Sequence, residues 1–382
     1  MKNLKILVLI VLAFFAGTNV SPAQQFKQGK WQTIIDGQSG EGAFFYRLHF
    51  MSDNVVEITQ QKGGLNTITE QKRWDREGNK IVITDNDSSA IAAFDGSTLT
   101  ITDENTLIYN NPPYEGKVKP YQHGLAILHW VLILVVLIIL NELFRKSKWA
   151  SIIFFLVLPV VLSIFVWPNQ GVTYWFKWVK VYSVVFASIW FIFIRYSKHF
   201  GKHNWVKLIA AMFLAVNIME AVSQDFSMGH LPNVLNGIAG VLSTITLFYG
   251  WKKIGPDNSK EKDMVWPGMP ILWIIAYDVW NIVYVYLNFP GSTSAQLMVL
   301  LSCTIPALFI KKGTWLQARA FTLAAWFMYY FTFPRFTEQL ELMVPRNNTL
   351  MLTVALLSIV LNVVYFGVFI KKIAHKRSMA NQ

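Results

Sequence analysis

Nine apolar stretches follow Pro120, and a chain that carries so many has few ways to fold. They occupy about residues 125–143, 150–167, 178–195, 205–222, 232–250, 271–288, 296–310, 315–333 and 350–370. Each holds, or nearly holds, the ~20 residues that a helix needs to cross roughly 30 Å of hydrocarbon. Inside a bilayer every backbone N–H and C=O has to be satisfied within the protein, and a helix does that within one segment. Hydrophobic residues make up 53% of the chain and charged residues 15%, against about 25% charged in a soluble domain. The seventh stretch is the shortest, and Pro306 interrupts it. The expected fold class is a membrane all-α bundle of about nine transmembrane helices over residues 120–371, with a basic cytoplasmic tail at 372–382.

The direction of the spans follows from charge. If the segment before the first span lies outside, the odd-numbered spans all end in the cytoplasm. The inner loops and tail then hold eighteen Lys and Arg, Arg195 and Arg319 among them. The outer loops hold Lys177, Arg335 and Arg346, with Lys180 just inside the third span. This asymmetry is what the positive-inside rule requires, and removing one span would reverse every later loop. The net charge of +12 therefore speaks for topology. Nucleic-acid binding is set aside, because it needs a basic face on a soluble module.

Residues 1–23 carry Lys2 and Lys5, an apolar run from Ile6 to Phe15, and a small-residue end at Ser21-Pro22-Ala23. That order describes a secretory signal peptide. The exported segment, 24–119, alternates polar and apolar residues with period two. Phe44, Tyr46, Leu48 and Phe50 face away from Phe45, Arg47 and His49, and further strands run to Tyr109 between Asp/Asn/Gly turns. A meander closing as an antiparallel barrel or sandwich follows. A single cysteine, Cys303, excludes an intramolecular disulfide and reads as a small packing residue.

The segment resembles bacterial lipocalin-like domains. The matching features are Gly29-Lys30-Trp31 on the opening strand, the turn from Phe50 to Asp53, Trp74 followed by Gly78-Asn79, and Leu99-x-Ile101 near the end. The resemblance implies an N-terminal antiparallel β-barrel-like domain, and Trp31 and Trp74 are expected to fill its floor. From about Tyr174 onward the chain resembles an uncharacterised bacterial family of multi-pass membrane proteins known only as a domain of unknown function. The stretches Tyr174 to Ser183, Asn217 to Val222, Asn236 to Gly240, Ala276 to Asn281 and Leu301 to Gly313 carry that likeness. It implies a membrane fold and no particular activity.

Function has to be sought among polar groups at membrane depth, because burying them is costly. Three consecutive spans carry pairs spaced by three residues, which share a helical face. These are Asn217 and Glu220, Asn233 and Asn236, and Asp278 and Asn281. They are expected to meet as one polar cluster, with Lys180 as the cation for Glu220 and with Tyr277, Trp280 and Tyr284 lining a cavity. Gly237 and Gly240 read as close-contact positions, and Asn141-Glu142 as a solvated helix end. No His-x-x-x-His, Gly-x-Ser-x-Gly or phosphate-binding Gly-rich motif appears, so no metal, cofactor or catalytic residue is assigned.

The expected partners are a lipid bilayer and a small molecule or ion, in a multi-pass protein of the inner (plasma) membrane. Its N-terminal domain is expected outside the cytoplasm and its C-terminus inside. A transporter or ion-coupled carrier is the leading reading. An envelope receptor or sensor using the β domain is the alternative, ahead of a membrane-embedded enzyme acting on lipid-linked substrates.

Overall fold

Alternation between residues 29 and 120 produces eight strands that close on themselves. They are β1 (Gly29–Asp36), β2 (Ala43–Phe50), β3 (Val55–Lys62), β4 (Asn66–Glu77), β5 (Lys80–Ile83), β6 (Thr98–Asp103), β7 (Thr106–Asn111) and β8 (Tyr114–Pro120). The computed structural model describes residues 26–36, 43–62, 66–84, 90–103, 105–111, 114–170, 175–345 and 347–380. The segment 1–23, expected to be a signal peptide, lies outside these residues. Sheet order follows chain order around a closed antiparallel barrel, and β8 returns to β1 with Trp31 opposite Pro120 and Gln32 opposite Lys119. Closure leaves no free sheet edge.

The alternation expected for β2 holds from Tyr46 onward, where Tyr46, Leu48 and Phe50 are covered, but Phe45 on the other face is buried as well and Phe44 is half-buried. Trp31 and Trp74 fill one end of the barrel, as expected. Phe26 stacks on Trp31 at 5.6 Å, and Phe50 meets Trp74 edge-on at 5.4 Å. Strand β8 is absent from the sequence reading, which ends the sheet at Tyr109. Its own signal is Val118, fully buried between exposed Lys117 and Lys119.

All nine apolar stretches form helices. They are α1 (His123–Lys146), α2 (Lys148–Phe165, with a π-turn over Ile153–Val157), α3 (Trp175–Tyr196), α4 (Asn204–Met228), α5 (Leu231–Leu247), α6 (Ile271–Asn288), α7 (Thr293–Phe309), α8 (Trp315–Thr332) and α9 (Asn348–Ala380). Six of them, α1 to α4, α6 and α9, are long and apolar enough to cross a membrane. Helices α5 and α7 are apolar but have 17 residues each, about 26 Å of helix. The tail does not leave the last helix at residue 371, because α9 runs unbroken to Ala380.

Helices α3 to α9 contribute to one apolar core, and α1, α2 and α3 form a second with α7 and α8. The outer faces are also apolar. Leu132 on α1 is 55% exposed and Ile139 is 60% exposed, and Ile164 and Phe165 on α2 and Leu357 and Val360 on α9 continue the belt. An uncovered apolar surface of this extent marks membrane association.

Hydrogen bonds show how the helices alternate. At one end, Arg195 donates to the carbonyls of Phe144, Arg145, Glu261 and Lys262. Arg145 reaches Asp263 at 2.8 Å, and Lys311 reaches Asp257 at 2.6 Å. The ends of α1, α3, α7 and the α5–α6 connection therefore meet there. At the opposite end, Trp130 donates to the Ser294 carbonyl at 2.7 Å, Trp167 to Thr332 at 3.2 Å, and Tyr286 to the Pro345 carbonyl at 2.8 Å. The Asn141-Glu142 pair is not solvated. Asn141 is buried, and Glu142 takes a bidentate contact from Arg145.

Gly237 and Gly240 are close-contact positions, as expected. A Cβ on Gly240 would lie 2.7 Å from the Trp280 indole nitrogen. The indole is pinned, since that nitrogen donates to the Asn236 carbonyl at 3.0 Å. Alanine in place of glycine gains about 1 kcal/mol of helix propensity, but overpacking here costs roughly 1–3 kcal/mol. Gly240→Ala should therefore lower the apparent unfolding midpoint of the detergent-solubilised protein. A raised midpoint would mean that Trp280 moves aside freely.

Candidate functional site

The turn between α4 and α5 builds an enclosed polar group. Gly229 adopts a left-handed conformation (φ 70°) that ends α4, and Pro232 sits in the first turn of α5. The reversal folds Asn233 and Asn236 back over Asp225. Asn233 donates to Asp225 Oδ1 at 3.0 Å, Asn288 of α6 to the same oxygen at 2.7 Å, and Asn236 to Oδ2 at 2.8 Å. Ser358 of α9 closes the set by donating to Asn236 Oδ1 at 2.7 Å. Asp225 is fully buried. Three neutral amides hold its carboxylate.

Asp278 belongs to a second group. Its Oδ2 accepts from Thr304 of α7 at 2.7 Å, and the Thr304 oxygen accepts from the Trp315 indole at 2.9 Å. Tyr277 stacks on Trp273 at 5.4 Å and meets Trp315 edge-on at 5.0 Å. Arg319, one turn into α8, is 5% exposed. It touches Asn281 through Nη2 at 3.4 Å, and Asn281 Oδ1 also accepts from Gln296.

The third group is the ion pair Lys180–Glu220, 2.5 Å apart, between α3 and α4. It faces a cavity of about 920 Å³, within the range of pockets that hold small molecules (about 300–1,000 Å³). Asn217, Asn281, Tyr284, Gln296 and Arg319 share its wall, with Trp130, Trp326 and Tyr330 supplying ring surface. The cavity lies at the end away from the basic connections. Along α8 it reaches from Phe331 down to Arg319, about twelve residues or roughly 18 Å of helix.

The sequence-predicted residues thus do not form one cluster. Asn233 and Asn236 turn to Asp225, Glu220 and Asn217 line the cavity with Lys180, and Asp278 with Tyr277 lies behind Arg319. Spacing of three puts each pair on one face, but it does not say which neighbouring helix that face meets. Of the predicted residues in the second group, Asn281 reaches the cavity, together with Arg319. Of the three aromatic residues expected at the cavity, Tyr284 lines it, while Trp280 packs under Gly240 and Tyr277 is buried among rings. Sequence reasoning missed Asp225, Asn288, Gln296 and Thr304, and it placed Arg319 in a loop. The signal for Arg319 was its position one turn inside an apolar run, between Ala318 and Ala320.

At the basic end, Asp263 is fully buried and accepts from Arg145 and from Gln317, the latter at 3.2 Å. Partial burial works against the charged form of Asp257. Hydrogen bonds from Lys311 and Ser259 outweigh it and hold the carboxyl below its usual range. The same contact with Asp257 raises the Lys311 ammonium. Among the described residues, no three His, Cys, Asp or Glu side chains gather as a metal site.

Neither a curated protein nor a solved structure matches the chain. Residues 121–382, the whole of the helical part, match the family described as "Family of unknown function (DUF5692)", and the chain belongs to that family.

Proposed function

We propose that the helical part is a multi-pass membrane carrier, and that the 920 Å³ cavity is the chamber in which it holds a small solute. The observation that carries this reading is the depth of that cavity. It brings an ion pair, the amides of Asn217, Asn281 and Gln296 and a buried guanidinium into the interior of helices whose outer faces are apolar. Polar groups at membrane depth are expensive, and they mark solute or ion pathways when they line a cavity. The charge asymmetry of the loops orients the chamber toward the exterior and the stitched basic end toward the cytoplasm. In that orientation the barrel is exported and α9 ends inside the cell.

Asp278 is the group proposed to carry a coupling proton. It lies beside the chamber floor rather than in the chamber, one oxygen held by Thr304 and the other, Oδ1, without a partner. The sensor reading, in which the barrel takes the ligand, has less support, because aromatic rings occupy the barrel floor. Enzyme chemistry has no residue set in its favour.

The test is proton movement in vesicles reconstituted with the full chain and loaded with a pH-sensitive dye. A panel of amino acids, sugars, carboxylates and amines is added outside. At least one member should drive a dye response that Ala295→Trp, which fills the chamber, removes. Asp278→Asn should reduce that response at least about tenfold, corresponding to 1.4 kcal/mol or more. A dye response to no member, or one indifferent to both substitutions, rules the carrier reading out.

A further inference from the structure

The floor of the chamber has an electrostatic deficit. Arg319 lines the cavity, is 5% exposed, and leaves Nε and Nη1 without a hydrogen-bond partner. Its hydrogen bond to Asn281 is long at 3.4 Å, and its other neighbour is the Tyr277 hydroxyl. A guanidinium is always charged and presents five donors in a planar fork. Burying one without a partner costs several kcal/mol, which the fold has to recover elsewhere.

The obvious internal partner is kept away from it. Asp278 and Arg319 feel each other's charge, but no salt bridge joins them. Thr304 holds the carboxylate at 2.7 Å, and Trp315 fixes Thr304 in turn. The Tyr277 hydroxyl lies beside the guanidinium without a well-formed hydrogen bond. Of the two carboxylates that line the chamber, Glu220 is committed to Lys180 at 2.5 Å, and Glu341 comes from the connection between α8 and α9, beyond the Phe331 end of the chamber. Asn281 adds to the imbalance. Its oxygen is occupied by Gln296 and Arg319, which leaves its amide nitrogen as a further donor. Unpartnered donors therefore gather at the floor, while the unpartnered Asp278 Oδ1 lies outside the chamber, and the donor geometry suits a two-oxygen anion.

We propose that the chamber floor is an anion site, where Arg319 takes the carboxylate or phosphate group of a ligand whose apolar body lies against the rings of Trp130, Trp326 and Tyr330. Ser294, toward the mouth, is buried on the same wall with its hydroxyl unpartnered, and supplies a second polar contact. The proposal rests on reading the cavity as a ligand chamber, but it does not require transport. The anion's source is a free organic acid or an anionic lipid headgroup, since both present the same chemistry.

The test is calorimetric titration of the full chain in phosphatidylcholine nanodiscs with benzoate, phenyl phosphate, benzyl alcohol and benzylamine. Benzoate or phenyl phosphate should bind saturably, at least tenfold tighter than the alcohol or the amine. Arg319→Gln should weaken that anion at least about thirty-fold and leave the alcohol unchanged, while Arg319→Lys retains part of the affinity. Repeating the titration in phosphatidylglycerol nanodiscs separates the sources. Competition by that lipid assigns the site to a headgroup, and an unchanged affinity assigns it to a soluble acid. If Arg319→Gln does not fold, the discrimination shown by the natural protein decides. Alcohol binding as tight as anion binding, an anion affinity indifferent to a folded Arg319→Gln, or no saturable binding of either anion at millimolar concentration overturns the proposal. Anion binding without flux would sink the carrier reading alone, and flux without anion preference would sink this one alone.

Discussion

Replacing Asp263 by alanine should lower the apparent unfolding midpoint of the detergent-solubilised protein by about 10 °C, the counterpart of roughly 3–5 kcal/mol. The carboxylate is fully buried. Its Oδ2 accepts from Arg145 at 2.8 Å, its Oδ1 accepts from Gln317 at 3.2 Å, and Arg195 lies 3.8 Å away. Two buried guanidinium groups thus share one buried counter-charge at the meeting point of α1, α3, α8 and the α5–α6 connection. Removing a single member of such a set is costlier than the set's net contribution, because the charges left behind stay desolvated. Asp263→Asn keeps an oxygen acceptor and the side-chain shape, so its loss should be less than half that of alanine. Differential scanning fluorimetry of the three proteins checks both numbers. A drop of only a degree or two for the alanine variant would show that Glu142 and the backbone carbonyls satisfy Arg145 and Arg195 by themselves.

The second large effect belongs to Asp225. Alanine there strips the acceptor from three amide groups, those of Asn233, Asn236 and Asn288. Each buried donor left unsatisfied costs about 1–3 kcal/mol. Asn233 keeps a contact to Asn288 Oδ1 at 3.2 Å, so the total should fall near 3–5 kcal/mol rather than at the upper sum. The exchange variant Asp225→Asn with Asn236→Asp is more informative. It moves the carboxylate across the α4–α5 contact and keeps one acid among the amides, so it should recover about half of what Asp225→Asn alone loses. A double variant no better than the sum of its two single changes would mean that charge position matters more than matching donors to acceptors.

Much of this architecture is legible in the sequence, for a physical reason. Apolar helices declare themselves by length and apolarity, so all nine stretches are found, with ends within about three residues except where α4 and α9 run on to Met228 and Ala380. The strands from Gly29 to Tyr109 are equally plain, because one face is buried and the other is not. Strand β8 was missed where Pro112-Pro113 and Gly116 interrupt the alternation, leaving Val118 as the single buried mark. The last helix was cut short at the first cluster of Lys residues, although charge does not end a helix that leaves the apolar layer. The site was only partly legible. Each polar pair could be put on a face, but the partner of that face depends on packing between spans distant in the chain. Asp225 meets Asn288 across 63 positions, and Asn236 meets Ser358 across 122. Arg319 escaped notice because a cation near the start of an apolar run looks like a topological marker until its burial is known.

The guanidinium of Arg195 rivets four backbone carbonyls together, whereas the void occupies the far half of the bundle. Mechanical stiffness is therefore graded along the helix axes. A change in the volume of the void should meet less resistance at the rim near Trp130, Phe289 and Tyr330, where single hydrogen bonds such as Trp130 to Ser294 join the helices, than at the riveted end. Spectroscopic labels for following such a motion belong on that rim, with reference labels on the Lys252–Lys262 connection.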